Sequence, residues 1–159
     1  MPWTKEDYAY LAGFLDGEGC IGVYSRIKQN RGSRQYTPSK SYRPRVSIVN
    51  TNKEVLEWIK KEFGGYLSMK TKVAGHKIGY SLNIVDYKKI ERMIINCLPN
   101  LKVKKEVALL VLKFPWNAKC NQYTREVTKQ ICDFKEQLYL ETLKLNKRGD
   151  GNAVESCRR

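Results

Sequence analysis

The stretch Leu11–Gly19, LAGFLDGEG, puts three glycines and two acids at the end of a predicted helix. Glycine weakens helix interiors, and acidic side chains are rarely buried without a partner. Thr4 is a suitable N-cap with Asp7 three residues later, so the helix is predicted to begin at Thr4 and to run to about Asp16. Glycines together with acidic residues at one place indicate close packing of the backbone, a site that uses carboxylates, or both.

Three small residues, Ala9, Gly13 and Gly17, follow one another at intervals of four and therefore share one face of this helix. Such a face lets two helix backbones approach closely, a pattern best documented in membranes but steric in origin. Two copies of the chain packed through it would bring two Glu18 carboxylates together, and like charges at that spacing require a metal ion. The residues alone leave a simpler alternative open, in which Asp16 caps the helix and Glu18 lies in a solvated turn.

The charge balance indicates a polyanionic partner. The 159 residues include 30 Lys and Arg against 16 Asp and Glu, a formal net charge of +14, which is large for solubility alone. A membrane surface would favour a basic amphipathic helix, whereas the basic residues here lie mostly in predicted strands and one loop. No apolar run approaches the ~20 residues that span a bilayer, and the first residues lack the pattern of a signal peptide. We therefore expect no membrane association.

The cysteine and histidine content limits the chemistry. Five cysteines without a CxxC pair argue against a disulfide scaffold and against a structural zinc site. They fit a reducing compartment. Together with the polyanionic partner that the charge indicates, this favours a reducing compartment that contains DNA, such as the prokaryotic cytoplasm or an organelle interior. The single histidine, His76, lies in a predicted turn, so histidine-dependent chemistry is not favoured.

Alternating polar and apolar residues predict four strands, at residues 20–28, 43–49, 66–73 and 77–85. Beyond the first helix, further helices are predicted at residues 53–63, 86–97, 104–113 and 124–146. The element order indicates an α+β fold, an αββαββα core with a four-stranded antiparallel sheet, helices on one face of it and additional C-terminal helices.

A hydrophobic content of 42% is sufficient for most of the chain to fold. We expect a single domain over residues 1–146, with a core at about 4–115 and a helical extension at 116–146. The polar residues 147–159 are predicted to form a flexible tail.

Each predicted strand has one apolar face and one face of Lys, Arg, Tyr, Ser and Asn that is nearly free of acid. A sheet of this kind fits the DNA major groove, where Arg and Lys can bind guanine and Asn can bind adenine. The alternatives are a merely solvated face and an RNA-binding sheet, which would present more aromatic side chains. The basic loop at residues 29–42 is expected to become ordered on DNA. The residues predicted to contact DNA on the strands and in this loop are Tyr24, Arg26, Lys28, Arg31, Arg34, Lys40, Arg43, Arg45, Ser47, Tyr66, Ser68, Lys70, Lys72, Lys77, Ser81 and Asn83.

The quoted stretch resembles the LAGLIDADG motif of homing endonucleases. The positions that match it are Leu11, Ala12, Gly13, Asp16 and Gly19. By element order the resemblance covers about residues 5–115, and a single copy of the motif implies a homodimer with two motif helices packed at the two-fold axis. The resemblance implies an intron-encoded, site-specific DNA endonuclease that makes a metal-dependent double-strand break in a long pseudo-palindromic target.

The resemblance also implies residue roles. Glu18 matches the acidic metal ligand, to which Gly17 can add its backbone carbonyl, and the expected cofactor is Mg²⁺ or another divalent cation. Lys104 resembles the basic residue near the scissile phosphates. Asn50 and Lys53 fall where the family has a polar and a basic residue near the attacking water, and Asn52 could substitute for Asn50. The expected dimer interface comprises Ala9, Gly13, Asp16 and Gly17.

Two other functions compete with this prediction. Asp86-Tyr87-Lys88 is similar to the D/E-x-K element of another nuclease class, but it lacks a convincing upstream acid, and Asp86 is better explained as a helix N-cap. A non-cleaving nucleic-acid-binding protein of the same fold, such as an RNA-splicing maturase, is the stronger alternative, with RNA as a less favoured partner. The presence of Glu18 favours catalysis.

Overall fold

The computed structural model describes residues 3–28, 39–70, 77–116 and 125–147. Helices and pairs of strands alternate along the chain, as the sequence predicts. In chain order the elements are α1 (Lys5–Glu18), β1 (Gly19–Lys28), β2 (Ser39–Asn50), α2 (Lys53–Phe63), β3 (Tyr66–Met69), β4 (Tyr80–Ile84), α3 (Tyr87–Cys97), α4 (Lys105–Leu112) and α5 (Arg125–Asn146).

The strands form one four-stranded sheet in the order β1-β2-β4-β3, and every neighbouring pair is antiparallel. The α+β prediction is therefore confirmed. Ile21 pairs with Val46, and Val46 pairs in turn with Ile84 on the other side of β2. These three side chains are fully buried, so one face of the sheet forms the floor of the core.

Helices cover this apolar face. Their buried side chains recur at helical spacing, so each helix turns one apolar stripe to the sheet. The buried helical residues are Leu11, Ala12, Leu15, Leu56, Ile59, Phe63, Ile90, Met93, Ile94, Cys97, Val107, Ala108, Val111 and Leu138. Among the described residues, no helix is long and apolar enough to cross a membrane.

Helix α5 packs closely on strand β1. The Thr142 methyl carbon lies 2.6 Å from the position that a Cβ on Gly22 would take. The Asn146 side-chain amide donates to the Ile21 carbonyl at 3.1 Å. The Thr142 hydroxyl, which is almost fully buried, donates to the Leu138 carbonyl at 2.7 Å. The buried side of α5 includes Leu138 and Thr142, whereas Phe134 is 41% exposed.

Four boundaries differ from their predicted positions. Helix α1 continues two residues beyond Asp16, to Glu18. Strand β2 begins at Ser39 rather than at 43, because α5 supports its first residues: Tyr42 contacts Tyr139 with ring centres 5.6 Å apart. Strand β3 ends at Met69, and β4 begins at Tyr80. The predictions for Arg31, Arg34, Lys72, His76 and the tail at 148–159 lie outside the described residues.

The helix ends follow the local sequence. Thr4 and Asp7 form the predicted capping box, and the Asp86 carboxylate accepts from the Lys89 N–H at 3.2 Å as the N-cap of α3. The chain leaves α2 through Gly64 and Gly65, which have φ of 66° and 99°. A Cβ on Gly65 would also lie 2.7 Å from the Asn83 carbonyl oxygen.

Gly65→Ala is therefore expected to lower the free energy of unfolding by about 2 kcal/mol or more, because it combines an unfavourable φ with a backbone clash. Gly79→Ala is the matched control, since a Cβ there would meet only an ordinary contact at 3.9 Å. Urea unfolding followed by circular dichroism measures both. Equal effects of the two substitutions would contradict the packing described at Gly65.

Candidate catalytic site and nucleic-acid interface

The candidate catalytic site lies where α1 passes directly into β1. Glu18 is the last residue of α1 and is exposed, and Gly19 is the first residue of β1. Gly19 pairs with Ile48 near the end of β2, so Asn50 lies at the same end of this strand pair. The sheet and the helix together fix the backbone on both sides of Glu18.

Asp16 holds this junction to the segment that leads into α4. Its carboxylate accepts from the backbone N–H groups of Lys102 at 2.7 Å, Val103 at 3.2 Å and Lys104 at 2.9 Å. Burial alone would raise the pKa of Asp16, but these three N–H groups and the Lys104 charge outweigh it and lower the pKa. The carboxylate is thus held in its charged form inside the chain. The Asp16 oxygens are turned to this segment, and its place in a dimer interface stays a prediction.

Lys104 makes the reciprocal contact. Its ammonium donates to the carbonyls of Leu15 at 2.6 Å and Asp16 at 2.7 Å, in the last turn of α1. That turn has no basic residue of its own, so Lys104 supplies the positive charge that a helix C-terminus favours. Burial lowers the pKa of Lys104, whereas the neighbouring Asp16, Cys20 and Glu18 act to raise it. Burial outweighs these charges and lowers the pKa of Lys104 overall, and the ammonium is bound two residues before Glu18 in the chain.

Asn50, the last residue of β2, and Lys53, the first residue of α2, each bind a side chain or backbone group close to them in sequence. The Asn50 side chain accepts from the Asn52 N–H at 2.7 Å, and Asn52 caps α2 through the N–H of Glu54 at 3.0 Å. Lys53 forms an i,i+4 ion pair with Glu57 at 2.8 Å, and this carboxylate raises the pKa of Lys53. Both residues lie at the Glu18 end of the sheet, where the Asn50 contact stabilises the turn and the Lys53 ion pair stabilises the start of α2.

The sheet face that carries Arg26, Arg43 and Tyr66 is basic and polar, and α5 reaches it at Gly22. The four strands, as the structure bounds them, contain no Asp or Glu. Arg26, Arg43 and Tyr66 are exposed on them, and Tyr66 is 70% exposed. Where polar side chains lie close together they form hydrogen bonds: the Asn83 amide donates to the Ser81 hydroxyl at 3.2 Å. This face fits a polyanion because no carboxylate on the strands opposes it.

The described members of the predicted DNA-contact set differ in their placement. Ser81 is only 8% exposed, which leaves it little surface for a ligand. Lys40 belongs to β2 rather than to a loop, and by alternation it lies on the same side as Tyr42. Its ammonium pairs with Glu136 of α5 at 3.3 Å. Lys40 therefore lies towards the helical side, apart from Arg43 and Arg45.

The small-residue face of α1 is open. Ala9, Gly13 and Gly17 are exposed. Among the described residues, no atom beyond the local helix backbone lies within 4 Å of the position that a Cβ would take at Gly13 or Gly17. Tyr10, on the same helix, is 53% exposed. The sequence predicts a contact with a second copy of the chain here, and the space for it is present.

The carboxylates near the junction do not form a closed metal cage. The described ranges contain no group of three or more His, Cys, Asp or Glu side chains that could hold a metal ion. Glu18 is the exposed carboxylate at this place, with the Gly17 backbone beside it. Such a donor set suits Mg²⁺, which is commonly held by one or two carboxylates with water and phosphate oxygens, better than it suits zinc.

The sequence profile of the LAGLIDADG endonucleases matches residues 11–115. The chain belongs to the LAGLIDADG endonuclease family. This family assignment confirms the resemblance of the LAGFLDGEG stretch, which covers the α1–β1 junction. No curated protein matches the sequence significantly.

Solved structures of homing endonucleases share the fold. The archaeal intron-encoded homing endonuclease I-Vdi141I, solved with DNA, is 20% identical with a TM-score of 0.63, over 92% of this chain and 88% of that one. I-CvuI, solved with a DNA target and Mg, is 20% identical with a TM-score of 0.59, over 94% and 85%. I-GzeII, also solved with DNA, is 21% identical with a TM-score of 0.57, over 94% of this chain but 48% of that one.

Sequence reasoning missed two features of the site. It did not find that Asp16 and Lys104 bind each other's backbone, since 88 residues separate them and no local pattern connects them. It also gave no role to Cys20, whose sulfur lies 3.1 Å from the Tyr24 hydroxyl. The period-two alternation of β1 puts both side chains on one face and is the signal that could have suggested this contact.

Asp16→Asn keeps the side-chain shape but removes the charge and one acceptor, so we expect a loss of about 1–2 kcal/mol in the free energy of unfolding. The pH dependence should change as well. The pKa of Asp16 is lowered from 3.8, so its stabilisation is present above about pH 4 and is lost as the pH falls through the lower native value.

Urea unfolding between pH 7 and pH 2 measures both effects. The Asp16→Asn variant should lose less stability on acidification than the wild type does. Asp133→Asn, at an exposed position on α5, is the control and should behave as the wild type. Parallel acid profiles for the Asp16 variant and the wild type would contradict the proposed bonds to the carboxylate.

Proposed function

We propose that this chain is a site-specific DNA endonuclease that acts as a homodimer and makes a metal-dependent double-strand break in a pseudo-palindromic target. The observation that carries the proposal is the family motif ending in exposed Glu18, next to the Lys104 charge and at one end of an acid-free basic sheet. An exposed carboxylate beside a phosphate-binding surface is unfavourable unless a cation lies between them.

Glu18 and the Gly17 carbonyl are the proposed ligands of the divalent cation. When bound, Mg²⁺ supplies a water of lowered pKa and stabilises the leaving oxygen. The chain's own contribution is to fix Glu18, because Asp16 and Lys104 hold the turn that precedes it. The Lys104 ammonium also offsets the negative charge that develops on the scissile phosphate. Asn50 and Lys53 are proposed to orient the attacking water from the neighbouring strand end.

The basic sheet face is proposed to bind DNA. Arg26 and Arg43 are exposed there, and the family relatives I-Vdi141I and I-CvuI were solved with DNA. Contacts with phosphates contribute most of the affinity in such interfaces, so binding should weaken steeply with salt. Contacts with base edges provide the sequence preference.

The homodimer is proposed to form through the small-residue face of α1. Only one copy of the motif is present in the 159 residues, and one Glu18 per chain supplies one carboxylate for a two-strand cut. Packing at Gly13 and Gly17 would bring the two Glu18 residues together at the two-fold axis. The symmetry of the dimer then requires a pseudo-palindromic target.

A non-cleaving nucleic-acid-binding protein, such as a splicing maturase, is the second candidate. It is favoured by the local contacts of Lys53 with Glu57 and of Asn50 with Asn52, since these contacts occupy two of the proposed catalytic groups. The two candidates differ in whether DNA is cut. Incubation with a randomised double-stranded DNA library, with Mg²⁺ or with EDTA, followed by sequencing of cut ends and bound DNA, distinguishes them.

Glu18→Gln should abolish double-strand cleavage, with a loss of at least about 100-fold, because the amide is a poor ligand for a hard cation. Binding to the same DNA should be kept. Glu126→Gln, at an exposed position on α5, is the matched control and should cleave as the wild type does. Cleavage by Glu18→Gln at the wild-type rate would refute the catalytic assignment.

Gly13→Gln should convert the dimer to a monomer while leaving the fold intact, because the site has room for a side chain in the isolated chain but not between two packed helices. Glycine is a poor helix former, so the monomeric variant should keep the wild-type helix content. Light scattering after size-exclusion chromatography measures the mass. Lys129→Gln, on the exposed side of α5, is the control. An unchanged mass for Gly13→Gln would place the dimer interface elsewhere.

A further inference from the structure

Asn83 of β4 and Tyr66 of β3 lie directly opposite each other on the basic sheet face. The two residues are paired across the strands. Their neighbours Leu82 and Leu67 pack in the core, so alternation puts Asn83 and Tyr66 on the other face. Tyr66 is 70% exposed, and Asn83 is half-buried. The α5 side chains that reach this face lie over Gly22 of β1, at the opposite edge of the sheet from β3, so this pair lies away from them.

Asn83 is the amide side chain that this face offers to a base. The described strands contain two Asn and no Gln. Asn50, at the end of β2, already binds the Asn52 N–H with its side-chain oxygen. The Asn83 amide donates one N–H to the Ser81 hydroxyl at 3.2 Å. Within the described ranges, the other N–H and the carbonyl oxygen of this amide have no partner.

The remaining groups of the Asn83 amide match one base edge. In the major groove, adenine presents an N6–H donor beside the N7 acceptor, and an amide binds both by accepting from the first and donating to the second. Guanine presents two acceptors there and suits the several donors of Arg or Lys. An amide with one N–H already bound keeps one donor and one acceptor, which is the combination that adenine requires.

The exposed ring of Tyr66 matches the other base of the same pair. Thymine presents its C5 methyl group in the major groove beside the adenine edge, and apolar groups of side chains contact it. Directly paired strand residues have Cβ atoms about 5 Å apart, so the ring and the Asn83 amide can reach neighbouring groups of one base pair. A G·C pair has neither the adenine donor and acceptor nor the methyl group.

The strand register puts this pair of side chains close to the candidate catalytic site. Cys20 pairs with Ser47, and Ser47 pairs in turn with Asn83, so one row crosses the sheet two residues after Glu18. Two strand spacings separate β1 from β4, which is ~10 Å. A base pair that contacts Asn83 is therefore expected in the part of each half-site near the cut.

We propose that Asn83 and Tyr66 recognise one A·T base pair in each half-site, with Asn83 at the adenine edge and Tyr66 at the thymine methyl group, and that Ser81 is a positioning residue for the Asn83 amide. The inference rests on the proposed function, since it requires DNA on this face. Ser81 is only 8% exposed, so it acts through Asn83 and contacts no base itself.

Base preference tests the assignment of Asn83. From a randomised double-stranded DNA library, the wild-type protein should select A·T at one position of each half-site. Asn83→Ala should lose this preference and bind the selected duplex about five- to 150-fold more weakly. Asn100→Ala, at an exposed position in the turn after α3, is the matched control and should bind as the wild type does.

Base analogues test the two contacts separately. In the selected duplex, 7-deazaadenine removes the N7 acceptor, and deoxyuridine removes the thymine methyl group. Each analogue at the selected pair should weaken wild-type binding about two- to tenfold. Asn83→Ala should be insensitive to 7-deazaadenine at that pair, and Tyr66→Ala should be insensitive to deoxyuridine. Full sensitivity in these variants would overturn the assignment of the contacts.

A double-mutant cycle tests the positioning role of Ser81. Ser81→Ala should weaken binding about two- to tenfold and have no further effect in the Asn83→Ala background. Ser81→Thr keeps the hydroxyl and should keep the A·T preference. In the free protein, the NMR order parameter of the Asn83 side-chain amide should fall in Ser81→Ala and be kept in Ser81→Thr. Equal order parameters in all three proteins would overturn the positioning role.

Two further results would overturn the proposal. If Asn83→Ala keeps the wild-type base preference, Asn83 does not recognise a base. If it weakens binding to all sequences equally, Asn83 binds a phosphate. In both cases wild-type binding and cleavage would still stand, so the proposed function would survive. A wild-type protein that binds no double-stranded DNA would instead refute the proposed function and this inference with it.

Discussion

A pair of reciprocal contacts joins the end of α1 to the start of α4: Asp16 binds backbone N–H groups that lead into α4, and Lys104 binds backbone carbonyls at the end of α1. The position of the candidate site depends on these contacts. The N-cap position of α4 is Lys104, which makes no side-chain cap, and α1 ends without a basic residue in its last turn. Backbone groups next to both helix ends are thus paired with charged partners, and hydrogen bonds to charged partners are stronger than those between neutral groups. Glu18 follows this contact by two residues, so its position is set by it.

The two acids and three glycines of the LAGFLDGEG stretch have distinct uses. Asp16 is turned into the chain and serves structure, whereas Glu18 is exposed. Because Gly13 and Gly17 have no side chains, the backbone on the outer face of α1 is accessible to close packing. Gly19 serves the opposite purpose, since a Cβ there would lie 2.8 Å from the Leu15 carbonyl oxygen, and it lets β1 leave the helix sharply. A single short segment therefore supplies a packing face, an internal anchor and the exposed carboxylate.

The sequence was sufficient for the features that depend on local periodicity. Alternation identified the strands and their two faces, and Thr4, Asp86 and the Gly64-Gly65 pair marked helix ends correctly. It failed where contacts distant in sequence decide the structure. The start of β2 depends on α5 packing against Tyr42, and the inward face of α5 depends on the fit of Thr142 over Gly22. The inward orientation of Asp16 could not be predicted from the motif. Its partners are backbone N–H groups, which nearly every residue has, so no residue type in the sequence indicates them.

The separation of Asp16 from its partners has a consequence for biogenesis. All four strands lie before residue 85, so a ribosome-bound chain of that length already contains the whole basic sheet. The partners of Asp16 are 86 to 88 residues away and emerge from the ribosome later. Contacts between distant segments form late in folding because they must first overcome loop-closure entropy. A nascent chain can therefore complete the strands of the sheet before it has assembled the α1–α4 contact that fixes the position of Glu18.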